Sequence, residues 1–281
     1  MALPDQTLAS SQSGGLGLLS RNGTVAEKPV APRGSLRSFF DGLKNILPRN
    51  SLNKHAIIDG FASSLASGEK YTEPFLHYQF RPFSDELYTT ILKHLPEDRF
   101  FVELRHSDAI RPDGTSSRLV LPLQKKMMSK LNPEQRDFWS ELDAIMCARE
   151  LRDIFKGRLE PELRRRFKCS LDQVPAIPRL MLIRDFPSYK INIHPDIEWK
   201  TITTQYYLPW DDSQRHLGTS IYMRQPDGHF VETHKMDFLP GNAYCFAVSG
   251  QSWHAVESVG EIPRPRNSMM LIYFRDKGHD Y

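Results

Sequence analysis

Three side chains in the second half of the sequence are of the types that bind transition metals. His194 and Asp196 form a His-x-Asp unit that follows an extended segment, residues 189–193. Residues i and i+2 of a strand point to the same side, so an imidazole and a carboxylate at this spacing could bind one metal ion together. His254, in a later β-type segment, could supply a third ligand. Two histidines and one carboxylate leave positions open on an iron ion, as oxygen-activating Fe(II) sites require.

A second His-x-Asp unit shows that the tripeptide alone carries little weight. His106 and Asp108 have the same spacing, and a chain with 10 histidines is expected to contain such a unit by chance. These two residues precede a helical region, whereas His194 opens a strand-rich region that also contains His254. We therefore interpret His106 and Asp108 as surface or structural groups.

A basic anchor follows the third candidate ligand. Arg266 and Ser268 stand two residues apart at the start of the last apolar β-type run, so their side chains are expected on the same side of a strand. A guanidinium is always charged and matches a carboxylate with two N–H groups, and a hydroxyl adds another donor. Arg264, in the preceding segment 260–265, is an alternative anchor. We prefer Arg266 because it stands at the head of the apolar strand.

The order of these motifs resembles that of the Fe(II)- and 2-oxoglutarate-dependent dioxygenases. In that family a His-x-Asp unit, a distal histidine and an Arg-x-Ser unit on the final strand follow one another, as they do here. The resemblance implies that His194, Asp196 and His254 bind Fe(II). It also implies that Arg266, helped by Ser268, binds the distal carboxylate of the cosubstrate 2-oxoglutarate, and that O2 takes a remaining position at the iron. The implied fold is a double-stranded β-helix, a jelly-roll sandwich whose mouth holds the metal.

The same resemblance implies a reaction. The cosubstrate is converted to succinate and CO2 while the substrate is oxidised, usually by hydroxylation. Asp196 stands where halogenating relatives need a free coordination position, so its presence favours hydroxylation or desaturation over halogenation. The predicted protein is a soluble, cytoplasmic, monomeric or homodimeric hydroxylase of a small molecule. Two alternatives are a hydroxylase of protein or peptide side chains, and a non-catalytic β-sandwich binding module. We expect residues 130–168 and 209–217 to shape the choice of substrate.

Composition excludes several other classes of protein. Lys and Arg number 37 against 34 Asp and Glu, and a net charge of +3 is too small for a nucleic-acid-binding surface. The cysteines, Cys147, Cys169 and Cys245, are odd in number and scattered. This pattern argues against a disulfide framework or a zinc–cysteine site and favours a reducing compartment. No apolar run approaches the ~20 residues that a membrane-spanning helix needs.

The pattern of elements predicts an α+β domain. Ser84 caps a helix that runs to about Leu95, and Asn132 caps a helical pattern that continues to about Lys168 with a break near Pro161. Short β-type runs separated by turn signals then follow at residues 180–183, 201–208, 219–222, 243–248 and 269–274. This spacing is typical of an antiparallel sandwich or barrel. We expect a β core over residues 178–276, supported by helices from the N-terminal half.

The first 70 residues divide into two predicted segments. Residues 1–34 are rich in Ser, Gly, Ala and Pro and are expected to be a flexible tail. Residues 35–70 are expected to be an amphipathic helical segment, because apolar residues recur at helical spacing over 36–47. The helix could contact a membrane surface or a partner, but packing on the main domain is the preferred interpretation. The oxygenase domain is then expected to span residues 71–281.

Overall fold

Two facing sheets of antiparallel strands form the centre of the part of the chain that the computed structural model describes, residues 52–276 and 278. These residues belong to one compact unit, 51–281. The predicted tail at 1–34 and the predicted apolar helix at 36–47 lie outside the described residues.

The strands are as follows. They are β1 (Glu69–Tyr71), β2 (His77–Phe80), β3 (Val102–Glu103), β4 (Arg118–Pro122), β5 (Ile177–Asp185), β6 (Ile191–His194), β7 (Lys200–Tyr207), β8 (Ser220–Arg224), β9 (Phe230–Lys235), β10 (Ala243–Ala247), β11 (His254–Val256) and β12 (Arg266–Phe274). The α-helices are α1 (Lys54–Ser67), α2 (Asp85–Lys93), α3 (Lys125–Met128), α4 (Pro133–Met146), α5 (Arg149–Arg158) and α6 (Glu160–Phe167). Short 3-10 helices lie at Asp98–Phe100, Ser107–Ala109, Leu171–Gln173 and Asp212–Leu217.

The sheet topology is that of a jelly roll. The major sheet has the strand order β1-β2-β10-β7-β12-β5-β4-β3, and the minor sheet has the order β6-β11-β8-β9. From β5 onward the chain alternates between the two sheets. The last eight strands supply four adjacent strands of the major sheet, β10-β7-β12-β5, and the whole minor sheet, in the order of a double-stranded β-helix. The fold class predicted from the sequence is confirmed, and its core begins at Ile177 and ends at Phe274.

The helices cover the outer face of the major sheet. Phe61 of α1 has no exposed surface, and its ring contacts those of Phe80, Phe155 and Tyr206 at centroid distances of 5.8–6.4 Å. Such edge-to-face aromatic contacts add to the free energy gained by burial. Because α1 packs into the main core, the compact unit includes residues before 71, the boundary expected from the sequence.

Local side-chain contacts explain where the predicted helices begin. The Ser84 hydroxyl accepts a hydrogen bond from the backbone N–H of Leu87, and Asn132 does the same for Gln135. The long helical pattern after Asn132, however, consists of three helices rather than two. The chain turns at Cys147 and again at Leu159, and the break at Cys147 has no proline or glycine to signal it in the sequence.

Alternation along the strands of the major sheet separates two environments. In β5, Leu180 and Leu182 pack with the helices, whereas Met181 and Ile183 face the space between the sheets.

No helix in the described part of the chain is long and apolar enough to cross a bilayer. All three cysteines are free.

Candidate metal centre and cavity

Three side chains converge at one end of the space between the sheets. His194 ends β6 and His254 begins β11, and the two residues are direct partners in this antiparallel pair. Asp196 follows two residues after His194. One ligand atom from each of the three residues lies within 4.8 Å of the other two. The structure therefore brings the three candidate ligands together, and His106 and Asp108 are not part of this group.

Backbone carbonyls fix the orientation of both imidazoles. Nδ1 of His194 lies 2.8 Å from the carbonyl oxygen of Asn192, and Nδ1 of His254 lies 2.9 Å from that of Ser252. A carbonyl can only accept, so each Nδ1 carries the proton and each Nε2 keeps its lone pair. Histidines that bind metals are usually held in this way.

Asp196 is buried and accepts a hydrogen bond on each carboxylate oxygen. The Lys200 ammonium donates to Oδ1 at 2.5 Å, and the Thr203 hydroxyl donates to Oδ2 at 2.6 Å. Burial opposes ionisation, but the charge of Lys200 and these hydrogen bonds hold the pKa of Asp196 well below its usual range. Each oxygen retains a lone pair, so the carboxylate can still bind a cation.

Burial also sets the protonation state of His254. Desolvation lowers its pKa to about 4, although the charge of Asp196 acts in the opposite direction. His254 is therefore neutral at pH 7, as a metal ligand must be. Two imidazoles whose Nε2 atoms are free of hydrogen bonds to the described residues, together with one carboxylate, fit a divalent transition metal such as Fe(II).

A cavity of about 210 Å³ lies in front of the three side chains. Its lining is mixed: Val120, Met181, Ile183 and Met270 are apolar, and Arg118, Tyr189, Gln205, Thr219 and Tyr244 are polar. Apolar lining residues exclude water from a reacting group, while a few convergent polar groups orient a ligand.

The segment between β3 and β4 borders the mouth of this cavity. Leu104, His106 and Asp108 are lining residues, and His106 is exposed. No lining residue comes from 130–168 or 209–217, so the prediction that those segments shape the site is wrong for this cavity. The helices lie behind the major sheet, on the side away from the metal group.

The predicted anchor Arg266 is fully buried at the start of β12. Its Nη1 donates to Asp185 at 2.7 Å, and its Nε donates to the carbonyl of Leu217 at 2.7 Å. Arg264, the alternative anchor, is exposed and reaches Asp211. The structure therefore places Arg266 inside the sandwich and Arg264 on the surface.

Ser268 belongs to a buried chain of polar groups. Its hydroxyl accepts from Nε2 of Gln205 at 2.8 Å, and Oε1 of the same amide accepts from the Tyr244 hydroxyl at 2.7 Å. Tyr244 also accepts from the Thr219 hydroxyl at 3.3 Å. Burial raises the pKa of Tyr244, so its hydroxyl stays protonated and keeps donating. These hydrogen bonds fix the side chains of Gln205, Thr219 and Tyr244, which line the cavity.

Several residues of the site were missed in the sequence. Arg118 and Asp185 form a buried ion pair beside Arg266, and Lys200 and Thr203 hold Asp196. The strand register that brings Arg118 to Asp185 leaves no local signal. Lys200 could have been noticed, because it stands four residues after Asp196.

Comparisons with known proteins give only distant matches. No protein-family model and no curated protein matches the sequence. A prolyl-4-hydroxylase from Pseudomonas putida matches with a TM-score of 0.45 and 15% identity over 77% of this chain and 99% of that chain. The structure of a prolyl hydroxylase from Trichoplax adhaerens, in complex with a peptide fragment of hypoxia inducible factor, matches with a TM-score of 0.43 and 13% identity. The match covers 79% of this chain and 90% of that chain. The structure of a 2OG-Fe(II) oxygenase family oxidoreductase from Burkholderia pseudomallei matches with a TM-score of 0.35 and 14% identity. The match covers 89% of this chain and 96% of that chain.

Proposed function

We propose that this protein is an Fe(II)- and 2-oxoglutarate-dependent oxygenase that hydroxylates a small molecule. The observation that carries the proposal is the convergence of His194, Asp196 and His254 at a cavity with a buried arginine pair beside it. The reaction would convert 2-oxoglutarate, O2 and a substrate C–H group to succinate, CO2 and an alcohol. One oxygen atom of O2 enters succinate and the other enters the hydroxyl group.

The three converging side chains would hold the metal. The Nε2 atoms of His194 and His254 and one oxygen of Asp196 are the available donors. When bound, Fe(II) with 2-oxoglutarate and O2 supplies the oxidising chemistry. Lys200 and Thr203 fix the Asp196 carboxylate and keep it ionised, so that a charged ligand is present at every pH near neutrality.

Residues in the cavity lining and directly behind it would position the organic reactants. Arg266 and Ser268 are the proposed binding residues for the distal carboxylate of 2-oxoglutarate. Met181, Ile183 and Met270 would keep water away from the reacting C–H group. The modest volume of the cavity supports a small-molecule substrate.

We also infer that the enzyme works in a reducing compartment such as the cytoplasm. Cys147, Cys169 and Cys245 are free, and a chain with unpaired cysteines suits an environment that keeps thiols reduced. The test is titration with a thiol reagent of protein that was purified under air and then unfolded without a reductant. Three reactive thiols per chain support the inference, and one disulfide contradicts it.

The direct test is anaerobic addition of Fe(II) and 2-oxoglutarate to the full chain. A weak visible charge-transfer band is expected, and His194→Ala should abolish it. His229→Ala is the matched control, because His229 is exposed and does not line the cavity, and it should leave the band. Absence of a band in the wild-type protein would favour a binding module.

Turnover provides the second test. Succinate release should depend on added candidate substrates, and metabolite fractions and peptides can be screened in the same assay. Asp196→Gly should abolish hydroxylation, because it removes the only anionic donor of the group identified above. Full turnover in that variant would show that Asp196 is not a ligand. Release that depends on peptides alone would replace the small-molecule substrate with a peptide.

A further inference from the structure

Two arginines and one aspartate form a row across three neighbouring strands. Arg118 of β4 and Arg266 of β12 are both direct register partners of Asp185 on β5, the strand between them. Residues opposite one another in antiparallel strands share a face, so all three side chains enter the space between the sheets. Arg118 donates from Nε and Nη2 to the two oxygens of Asp185 at 2.6 and 3.0 Å, and Arg266 donates from Nη1 at 2.7 Å.

This row has an excess of positive charge in the protein interior. Two guanidinium groups share one carboxylate, so the three side chains together carry a net charge of +1. Asp185 and Arg266 are fully buried, and Arg118 is 8% exposed. Nη2 of Arg266 is buried and has no hydrogen-bond partner among the residues that the structure describes. A buried charge and an unused N–H donor are costly unless an anion compensates them.

The two guanidinium groups differ in their access to the cavity. Arg266 packs against the rings of Phe238 and Tyr207, at 4.5 and 5.6 Å from their centroids, and does not line the cavity. Arg118 does line it, and its guanidinium lies 3.9 Å from the ring centroid of Tyr189, another lining residue. A ligand that enters the cavity therefore reaches the guanidinium of Arg118 before that of Arg266.

We propose that Arg118 is a second carboxylate-binding residue, which acts together with Arg266 on the distal carboxylate of a 2-oxo dicarboxylic acid. This inference rests on the proposed function, since it concerns the same cosubstrate. Asp185 occupies Nε and Nη2 of Arg118, which leaves the N–H groups of Nη1 for a ligand. The row therefore supplies donors from two strands at fixed positions, and its net charge favours an acid over a neutral molecule.

The experiment compares two acids of equal chain length. One is 2-oxoglutarate, and the other is 2-oxopentanoate, which has a methyl group in place of the distal carboxylate. Binding of each acid to the full chain loaded with Zn(II) is measured by calorimetry for the wild type, Arg118→Gln and Arg118→Lys. The matched control is Arg105→Gln, an exposed arginine in the segment before β4 that pairs only with Glu103 among the described residues.

We expect Arg118→Gln to weaken binding of 2-oxoglutarate at least tenfold and to change binding of 2-oxopentanoate less than twofold. Arg118→Lys keeps the charge but loses the planar guanidinium with its paired N–H donors. This variant should weaken binding of 2-oxoglutarate at least fivefold. If Arg118→Gln does not fold, the lysine variant decides. Unchanged 2-oxoglutarate binding, or equal weakening of both acids, would overturn the role of Arg118. Failure of the wild type to bind 2-oxoglutarate would instead overturn the proposed function.

Discussion

Asp108 holds Asn192 by two hydrogen bonds, one from the backbone N–H and one from the side-chain amide, both at 3.1 Å. The carbonyl oxygen of Asn192 in turn accepts from Nδ1 of His194. A residue of the second His-x-Asp unit thus supports a candidate ligand of the first. Asp108 lies on the loop between β3 and β4, so this loop fixes the edge of the minor sheet at the metal group.

Removal of Asp108 should weaken metal binding. Asp108→Ala frees the backbone of Asn192 and loosens the orientation of His194. Loss of such outer partners typically costs about 10- to 100-fold in metal affinity. Titration of Zn(II) into the metal-free full chain measures the effect, with Glu103→Ala as an exposed control in the same region. An Asp108→Ala protein with wild-type affinity would show that the loop does not position the ligand.

Zinc should stabilise the wild-type protein against heat. A ligand that binds only the folded state stabilises it by about 2.7 kcal/mol at a free concentration 100 times its dissociation constant. We expect this gain to disappear in His254→Ala and to persist in His229→Ala, whose exposed imidazole pairs with Asp227. Melting curves with and without Zn(II) provide the comparison, and an equal shift in His254→Ala would place the metal elsewhere.

Acid should weaken the fold through His77, whose side chain is fully buried on β2. Burial lowers its pKa to about 4, against 6.5 in the unfolded chain, so below pH 6.5 the unfolded state takes up the proton first. The free energy of unfolding should therefore fall as the pH falls from 6.5 towards 4. His77 alone would contribute a loss of about 2 kcal/mol between pH 6.5 and pH 5.

Urea unfolding at these two pH values tests the role of His77. His77→Phe should show a smaller loss than the wild type, while the exposed His55→Gln should show the same loss. An equal loss in His77→Phe and the wild type would rule out His77 as the source.

Truncation of Phe61 should destabilise the whole domain. Its ring contacts those of Phe80, Phe83, Phe155 and Tyr206, and a buried Phe→Ala change typically costs 3–5 kcal/mol. Val231→Ala, on the partly exposed edge strand β9, should cost much less. Urea titration of both variants gives the comparison. A loss under 1 kcal/mol for Phe61→Ala would mean that α1 is not an integral part of the core.

Local spacing and residue type pointed to part of the candidate site. His194 and Asp196 stand two residues apart, and His254 and Arg266 lie in apolar β-type runs, so strand alternation and residue type pointed to them. The structure adds partners that depend on the register between distant strands. Asp185 meets Arg118 and Arg266 only because β5 lies between β4 and β12. The residue pattern within a single strand cannot predict which strands lie beside it in the sheet.

The same limit applies to predicting where helices begin and end. Ser84 and Asn132 indicate helix starts in the sequence, because their side chains accept hydrogen bonds from the backbone N–H three residues later. The turn at Cys147 is different, because Ala148, which precedes the next helix, offers no side-chain cap, and Met146 and Leu151 on either side are both buried. Capping chemistry can be seen in a sequence, whereas a helix break without a capping side chain, proline or glycine leaves no such signal.

The position of β12 has a consequence for biosynthesis. This strand follows every other strand that the structure describes, yet it lies between β5 and β7 in the major sheet and pairs with both along most of its length. A ribosome-bound chain that has not yet exposed residues 266–274 therefore has a gap in its major sheet, with the backbone edges of β5 and β7 unpaired there. Closure of the jelly roll must wait until this segment leaves the exit tunnel, and nascent chains are expected to need a chaperone until then.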